Sequence, residues 1–530
     1  MRGVFLLLRT LRYLRISQIV YRLLYFFKRK LKSLTKLQYK YDLYRRGVAL
    51  NLSKGIDSID CYKDGEFRFL NRGVVFNQFI DWDYAENGKL WTYNLNYFDF
   101  LNQQGFEKEV GELFIDSFIK EVPRLINANE PYTISLRGIN WVKFLSRERI
   151  ENKVIDRYLY SQYRILLDNL EYHIQGNHLL ENGFSLVFGG YYFKGDELYR
   201  KGKHIVYREL KEQVLRDGAH FELSPMYHRI ILYRVLDLIN LVTNNESSYK
   251  DAEFESFLRR KASHMLNWLN KVSFNSGETP NVNDSTEGII HKVNELSAYA
   301  NELNIVPIDN DLGDSGYRMF KKGDFELFID AGNIGPDYIP GHAHSDTFNF
   351  ILHYRGFPVV VESGISTYDR GIRRQRERST ISHNTVRYAK VDQSEVWDSF
   401  RVGRRAKVFI EGETKNSLLA YHDGYKRFGM KHYRKFTAES DHIVIEDEMF
   451  SQRVVKYSSQ AYFHFIPGIE PLVTDKSVKI ADFTIDFIGS VNIKIKEYYH
   501  SKGFNRTEKA KMIEVEFKEQ LVSKIYLTKH

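Results

Sequence analysis

The chain has 530 residues, more than one ordinary domain contains, and this length predicts two or three domains. Hydrophobic residues make up 43% of the chain, which is enough for a large core. The single cysteine, Cys61, excludes an intrachain disulfide and a cysteine-based zinc site. A chain without disulfides suits the cytoplasm and does not exclude the cell envelope.

The excess of positive charge belongs to the N-terminal arm, residues 1–50. This arm holds thirteen Lys or Arg residues and one acidic residue, Asp42, whereas the other 480 residues hold 64 basic and 67 acidic residues. We therefore expect no nucleic-acid partner for the body of the protein. Residues 18–30 mix apolar, aromatic and basic side chains, which is typical of a helix resting on anionic lipid and equally of a helix docked on the body.

The apolar start of the chain is interrupted by Arg9, Arg12 and Arg15 and is too short for a signal-peptide core. No other stretch is long and apolar enough to span a bilayer. The sequence therefore favours a cytoplasmic or membrane-peripheral location. Peripheral contact with a membrane through residues 1–50 agrees with this prediction.

Helical periodicity dominates the sequence from about residue 95 to residue 272. The predicted helices cover Phe106–Ile126, Ile150–Ile174, Asp196–Leu215, Tyr227–Thr243 and Phe254–Val272. Short polar or glycine-bearing turns separate them, so the pattern predicts helical hairpins that curl into a toroid or a solenoid.

After about residue 310 the pattern alternates between apolar and polar residues with period two. Segments of this kind are Phe325–Ile329, His442–Glu446, Phe483–Phe487 and Ile513–Phe517. They predict antiparallel sheets stacked as a sandwich. We divide the chain into a basic amphipathic arm (1–50), a helical domain (51–310) and a sheet domain (311–530). A loop at 277–285 lies near the junction, where ligand clefts are common.

Histidines are concentrated in a part of the sheet domain that reads as short strands. His342 and His344 alternate, so in a strand they would reach the same face. Together with His383 and a carboxylate they would hold a divalent metal, or divide the roles of ligand and proton carrier. The alternative is a set of strand histidines satisfied by ordinary hydrogen bonds.

Two motifs in the helical domain carry further polar candidates. In Gly176–Gly183, Asn177 and Glu181 share a helix face, with His178 beside them, although Asn177 also suits a helix N-cap. Tyr227 follows a Ser-Pro helix start and would act as proton donor or base, or pack as one more buried ring.

A third helical segment offers substrate contacts. Arg137 would clamp a carboxylate, Trp141 would stack on a sugar ring, and Asn140 lies between them. A surface arginine beside a buried tryptophan is the alternative. In the sheet domain, the arginine run at 373–378 indicates a solvated face, or a surface that attracts an anionic polymer if a site lies beside it.

Four motifs in this order resemble the heparinase II/III and alginate lyase superfamily. They are N-H-x-x-E-N-G at 177–183, S-P-M-Y-H at 224–228, G-H-x-H-x-D at 341–346 and S-H-N-T at 382–385. The resemblance implies an α+β multidomain fold, with an N-terminal (α/α) toroid of helical hairpins followed by a C-terminal antiparallel β-sandwich. It implies cleavage of uronic-acid polysaccharide by β-elimination, and it admits a periplasmic or envelope location.

The same resemblance implies roles for individual residues. Asn177 and His178 would neutralise the uronate carboxylate, while Tyr227 and His342 would serve as base and acid in either order. Tyr368 matches a further tyrosine of related lyases, and Glu181 matches an acidic residue that orients its neighbours. A structural zinc would be held by His344, Glu362 and His383. The sequence departs from the family pattern in having Glu rather than Asp at 362 and Ile231 where an arginine is expected.

Two other functions remain open at this stage. A glycoside hydrolase on the same toroid would use Glu181 and Glu222 as its carboxylate pair, but it leaves the histidine motifs without a role. A non-catalytic glycan-binding or assembly protein would be held at the membrane by its basic arm. For a lyase, the arm suggests work on a capsule or other envelope polysaccharide.

Overall fold

A computed structural model describes residues 2–35, 41–77, 79–122, 125, 127–245, 249–452 and 456–528. The predicted arm therefore falls partly outside the described residues, at 1 and 36–40. Helices occupy the N-terminal part: α1 (Arg2–Leu11), α2 (Ile16–Thr35), α3 (Lys89–Tyr97), α4 (Lys108–Glu121), α5 (Pro131–Arg147), α6 (Lys153–Asp168), α7 (Gly176–Tyr192), α8 (Asp196–Gln213), α9 (Pro225–Asn244), α10 (Ala252–Val272) and α11 (Val293–Glu302).

Strands dominate the C-terminal part, after a small sheet near the N-terminus. They are β1 (Tyr62–Lys63), β2 (Glu66–Phe69), β3 (Arg72–Val75), β4 (Tyr317–Lys322), β5 (Phe325–Asp330), β6 (Phe350–Tyr354), β7 (Phe357–Val360), β8 (Val386–Tyr388), β9 (Val396–Trp397), β10 (Arg401–Val402), β11 (Val408–Glu413), β12 (Ser417–His422), β13 (Met430–Ala438), β14 (His442–Ser451), β15 (Ser459–His464), β16 (Leu472–Thr474), β17 (Ser477–Ile480), β18 (Phe483–Gly503) and β19 (Arg506–Leu527). A short helix, α12 (Ile372–Glu377), lies between β7 and β8.

These elements confirm a helical region followed by a sheet-rich region. The five predicted helices correspond to α4, α6, α8, α9 and α10, and the four predicted strand segments lie within β5, β14, β18 and β19. Residues 123–124 and 126 of the first predicted helix lie outside the described part of the chain. Within the described ranges, no helix has both the length and the apolar character that crossing a bilayer requires.

Local sequence explains how the helices that carry the site begin. Ser224 caps α9 by accepting a hydrogen bond from the backbone N of Tyr227 at 3.3 Å, and Pro225 occupies the first turn. Helix α7 is buried on almost every side and therefore lies in the centre of the helical region. Both helices place their N-terminal residues near the sheet region, as Gly176 beside Ile339 illustrates.

Two antiparallel sheets pack against each other in the C-terminal region. Strands β4 to β7 form one sheet, and β11 to β14 with β16 to β19 form the main path of the other. Strand β15 joins the second sheet by pairing with β19 and β8. The two sheets share one core, in which the ring of Phe350 lies 6.2 Å from that of Phe436 and 5.8 Å from that of Phe463.

A separate apolar cluster joins the helical region to the first of these sheets. Trp268 of α10 lies 6.0 Å from Tyr317, measured between ring centroids, and Tyr317 lies 5.0 Å from Phe328. The Tyr317 hydroxyl donates to the carbonyl oxygen of Leu223, one residue before the cap of α9. This cluster fixes the start of α9 relative to the sheet region.

The segment that carries His342 and His344 is a loop, so the predicted short strand is wrong. Residues 331–349 have no strand, and Pro336 and Pro340 explain this because proline cannot donate to a strand ladder. Gly335 adds a left-handed turn with φ of 55°. The two histidines nevertheless converge, because both bind the same carboxylate from the junction loop.

Replacing Trp268 with Ala should remove packing between the two regions and lower the free energy of unfolding. The indole is 1% exposed, and loss of a buried tryptophan typically costs about 3 to 5 kcal/mol of unfolding free energy. Urea unfolding followed by circular dichroism measures this loss. Phe357→Ala is the control, because that ring is 75% exposed and its removal should leave the midpoint unchanged. An equal response in the two variants would show that the cluster does not hold the regions together.

Candidate active site

Asp284, in the loop at the junction of the two regions, is the centre of the polar network. Its carboxylate accepts two hydrogen bonds from Arg374, at 2.5 and 2.7 Å, and Asp284 is 0% and Arg374 1% exposed. The same two oxygens contact Nδ1 of His342 and Nε2 of His344, both at 2.9 Å. Burial opposes ionisation, but the guanidinium and the two imidazoles outweigh it and hold the pKa of Asp284 well below its ordinary value.

A carboxylate that only accepts hydrogen bonds fixes the tautomers of both histidines. The proton on His342 sits on Nδ1, so Nε2 is left for chemistry. Nε2 lies 3.6 Å from the Glu222 carboxylate, beyond hydrogen-bond range. The proton on His344 sits on Nε2, which leaves its Nδ1 without a partner. One buried acid therefore assigns the two histidines to different tasks.

Glu222 connects this network to the helical region. Its carboxylate accepts from the backbone N of Asn177 at 3.1 Å and from the Asn177 side-chain amide at 2.8 Å. An amide nitrogen carries two hydrogens, so one remains after this bond. These hydrogen bonds hold Asn177 at the start of α7. The Glu222 carboxylate therefore lies between Asn177 and His342.

His178, the next residue on α7, has a carboxylate neighbour that favours its protonated form. Its Nδ1 lies 3.0 Å from the Glu171 carboxylate, while 35% of the side chain is exposed. Burial disfavours protonation, but the adjacent Glu171 outweighs it and raises the pKa of His178 above its ordinary value. Tyr132 packs against this imidazole, with ring centroids 4.5 Å apart.

Tyr227 and Tyr368 meet at His342 from opposite regions. The ring of Tyr227 lies 3.9 Å from the imidazole of His342, and the two hydroxyl oxygens of Tyr227 and Tyr368 are 3.4 Å apart. Phe400 packs against Tyr368 at 5.3 Å between ring centroids. Burial raises the pKa of Tyr227 above its ordinary value, so this phenol keeps its proton at neutral pH. The structure thus brings the sequence-predicted Asn177, Tyr227, His342 and Tyr368 together, with His178 next to Asn177.

A second cluster lies behind His342. Ligand atoms of His344, Asp346 and His383 lie within 4.8 Å of one another, and all three residues are buried. His344 Nδ1, His383 Nε2 and Asp346 Oδ2 have no hydrogen-bond partner. Burial raises the pKa of Asp346 to about 6, and the negative charge of Glu362 adds to this shift, while His383 and Arg378 only partly oppose it. Two imidazoles and a carboxylate with free, converging atoms form a donor set that suits Zn²⁺.

Glu362 does not stand among these converging atoms, which corrects the predicted ligand set. Both of its oxygens contact Nδ1 of His383, at 2.9 and 3.0 Å. This contact fixes the tautomer of His383 and turns its Nε2 toward Asp346, which is the usual work of a carboxylate behind a metal-binding histidine. Asp346, in the same motif as His344, presents a free carboxylate oxygen to the cluster, whereas both oxygens of Glu362 are engaged by His383.

The predicted substrate contacts of α5 are also corrected. The side chain of Arg137 is 1% exposed, and it donates to the carbonyl oxygens of Asn96 and Ala128 at 3.2 and 2.8 Å. Trp141 is 0% exposed and Asn140 is 2% exposed, and neither can touch a sugar. Helix α5 packs closely beside α7 inside the helical region, and this explains why all three are core residues.

Glu181 lies in the core rather than at the substrate. It is 0% exposed and forms an ion pair with Arg234 at 3.3 Å. A carboxylate placed there cannot reach a glycosidic bond, which removes one member of the acid pair that a glycoside hydrolase would need. The other member, Glu222, is engaged by Asn177.

Sequence reasoning did not identify Asp284, Glu171 or Arg374 as site residues. Asp284 lies in the loop at 277–285, where the sequence predicts a cleft, but the sequence does not indicate its contacts with Arg374 and the histidines. Arg374 and Arg378 belong to an arginine run interpreted as a solvated face, yet they are 1% and 0% exposed. Arg374 and Arg378 are four residues apart, so a helical period puts both on one side of α12 and its C-cap, and this spacing was the available signal.

Comparison with known proteins identifies the family. Residues 76–312 match the description "Heparinase II/III N-terminus", and residues 305–527 match "Heparinase II/III-like, C-terminal". The two matches together run from residue 76 to residue 527 and overlap at the junction of the helical and sheet-rich regions. The chain belongs to the heparinase II/III-like family.

Individual relatives are more distant. The "Heparin-sulfate lyase" of Bacteroides stercoris is 27% identical over 310 residues, which are 52% of this chain and 44% of that protein. The chain therefore spans less than half the length of this curated relative. A crystal structure of heparinase III superimposes with a TM-score of 0.63 at 16% identity, covering 85% of this chain and 79% of that chain. A second heparinase III structure gives 0.61 at 18% identity, covering 86% and 81%. The two structures share the fold of this chain.

Replacing Asp284 with Asn should destabilise the protein strongly. The change leaves Arg374 buried without its counter-charge, and breaking a buried ion pair from one side typically costs about 3 to 5 kcal/mol. The midpoint of urea unfolding measures this effect. Asp324→Asn removes an exposed partner of Arg355 and should leave the midpoint unchanged. If both variants unfold at the wild-type midpoint, Asp284 does not hold the junction.

Proposed function

We propose that the protein is a polysaccharide lyase that cleaves a uronic-acid-containing polysaccharide by β-elimination. The observation that carries this proposal is the close contact between the Tyr227 ring and the His342 imidazole, whose centroids lie 3.9 Å apart, with Asn177 and His178 on the adjoining helix. These groups match the two demands of the reaction. The negative charge of the substrate carboxylate must be neutralised by donors. A base must remove the proton at C5, and an acid must protonate the leaving oxygen O4.

Asn177 and His178 are the proposed neutralising groups. A carboxylate beside C5 resists the extra negative charge that develops when the C5 proton leaves. The raised pKa of His178 favours its protonated, positively charged form, and the second amide hydrogen of Asn177 adds a neutral donor. Donors fixed in advance by Glu171 and Glu222 need no reorganisation during the reaction.

His342 and Tyr227 are the proposed base and acid. With its Nδ1 proton held by Asp284, His342 takes the C5 proton on Nε2. The electron pair of the C5–H bond forms the C4–C5 double bond, and the C4–O4 bond breaks. Tyr227 retains its proton because its pKa is raised, and it donates that proton to O4. Tyr368, at 3.4 Å from the Tyr227 hydroxyl, keeps that hydroxyl oriented.

We propose a structural zinc ion held by His344, Asp346 and His383. The three partnerless, buried ligand atoms support it, and Glu362 would support His383 from behind. When bound, the metal would supply positive charge and rigidity behind the catalytic loop. The loop that carries His342 would then be fixed on one side by Asp284 and on the other by the metal ligands.

We also propose the fold type, the class of polymer and the cellular context that the family suggests. The helical region would be an (α/α) toroid and the two packed sheets a β-sandwich. A curated relative is called a heparin-sulfate lyase, which makes sulfated glycosaminoglycans the first polymers to test. The basic residues of 1–50 support peripheral membrane contact and a role in capsule or envelope polysaccharide metabolism.

Tyr227→Phe tests the lyase proposal. Removal of the proton donor should lower kcat by about 100- to 10,000-fold, with little change in KM. The assay follows absorbance of the C4–C5 double bond across uronic-acid polysaccharides, including one without sulfate. Tyr207→Phe is the matched control, because this ring on α8 is 38% exposed and packs on Phe257 of α10 rather than on any residue of the candidate site. Unsaturated products from Tyr227→Phe at the wild-type rate would rule out the assigned role, and binding without turnover by the wild type would favour a non-catalytic glycan-binding protein.

Metal content separates the two candidate carboxylates. Asp346→Asn should abolish stoichiometric zinc, whereas Glu362→Gln should weaken affinity by about 10- to 100-fold, because it acts through His383. Inductively coupled plasma mass spectrometry of the purified protein measures the zinc content, and titration with a chelator measures the zinc affinity. His442→Ala, a partly exposed histidine on β14, is the control. Full zinc in Asp346→Asn together with none in Glu362→Gln would reverse the assignment.

A further inference from the structure

The helices α1 and α2 expose the apolar side that a surface helix normally buries. Six side chains on this outward face are 54% to 80% exposed, namely Val4, Leu8, Ile16, Leu23, Phe27 and Leu31. A helix on the surface of a globular protein turns such residues toward the core. Contiguous exposed apolar surface of this kind marks a binding surface rather than ordinary protein exterior.

The opposite side of the two helices is polar and aromatic and is bound to the body. Arg9 pairs with Glu395 at 2.8 Å, and Tyr21 stacks on Tyr172 at 4.8 Å between ring centroids. Gln18 is 1% exposed and donates to the carbonyl oxygen of Ile174 at 3.1 Å. The spacing of Gln18, Tyr21 and Tyr25 follows one helix face. These contacts fix which side of each helix faces outward.

Charge selects the partner of the outward face. Residues 1–35 contain nine Lys or Arg and no acidic residue. The sheet region adds Arg401 and Arg404 beside the arm, with 45% and 41% of their side chains exposed. A second copy of the chain would oppose positive charge with positive charge, which is costly across an interface. An anionic lipid surface supplies the opposite charge together with an apolar layer.

We propose that the outward face of α1 and α2 docks on an anionic lipid surface, with both helices lying in the plane of the interface. This inference refines the proposed membrane contact by naming the face that meets lipid. Lipid binding is measured without substrate, and lyase activity is measured without lipid. Either proposal can therefore fail while the other stands.

The docked arm would place the catalytic site at the lipid surface. Its inward face touches both walls of that site. Gln175, two residues before Asn177, donates to the Ser17 hydroxyl at 3.0 Å, and the Trp397 indole donates to the Thr10 hydroxyl at 3.1 Å. Trp397 lies on the β9–β10 hairpin that carries Phe400, and Phe400 lies 6.1 Å from His342 between ring centroids.

Co-sedimentation of the full chain with vesicles tests the proposal. One set contains phosphatidylcholine alone, and the other contains phosphatidylcholine with one quarter phosphatidylglycerol. We expect binding to the anionic vesicles, little binding to the neutral vesicles, and weakening as salt is added. Failure to sediment with either set, or equal binding to both, would overturn the proposal.

Two double variants locate the lipid-binding face. Leu23→Gln with Phe27→Gln should weaken binding to anionic vesicles by about tenfold or more. Val306→Gln with Phe357→Gln changes residues that are 73% and 75% exposed elsewhere and should bind as the wild type does. Equal loss in both pairs would overturn the assignment of the face. A dimer in size-exclusion chromatography that only the Leu23/Phe27 pair abolishes, without vesicle binding by the wild type, would instead identify a second copy as the occupant.

Discussion

The arrangement of the site depends on one buried carboxylate. Asp284 neutralises Arg374 and at the same time accepts hydrogen bonds from His342 and His344. Because it accepts at Nδ1 of one histidine and Nε2 of the other, the two rings present different free nitrogens. His342 is left with Nε2 beside Tyr227, and His344 is left with Nδ1 beside Asp346 and His383. The proposed proton-transfer site and the proposed metal-binding cluster can therefore share one loop without competing for the same atoms.

This carboxylate works only where the helical and sheet regions meet. The apolar cluster around Trp268 and Tyr317 holds the regions together, and the Tyr317 hydroxyl contacts Leu223 just before α9. Tyr227 comes from the start of α9 and His342 from the sheet region, so their contact reports the alignment of the two regions. The arm adds a second connection, through Arg9 and Glu395 on one side and Gln18 on the other. Tyr227 and His342, the proposed proton-transfer pair, are thus held together by apolar packing at the junction and by the polar contacts of the arm.

The order of helices and strands could be predicted from sequence because periodicity is a local property. The motif at 177–183 is likewise local and lies within α7, although the N-cap of this helix is Gln175 rather than Asn177. Contacts across the junction could not be predicted in this way. Asp284 gains its role from Arg374, ninety residues away, and no pattern within the loop announces that partner. Trp141 shows the opposite error, because an aromatic residue beside polar ones suggests a sugar platform until burial is known.

The central claim is that a uronate linkage is cut by elimination between His342 and Tyr227. Mass spectrometry of the products from a uronic-acid oligosaccharide of defined length tests it most directly. Elimination consumes no water, so the account predicts two products whose masses add up to that of the substrate. Two products that together weigh one water molecule more would show hydrolysis and would contradict the account.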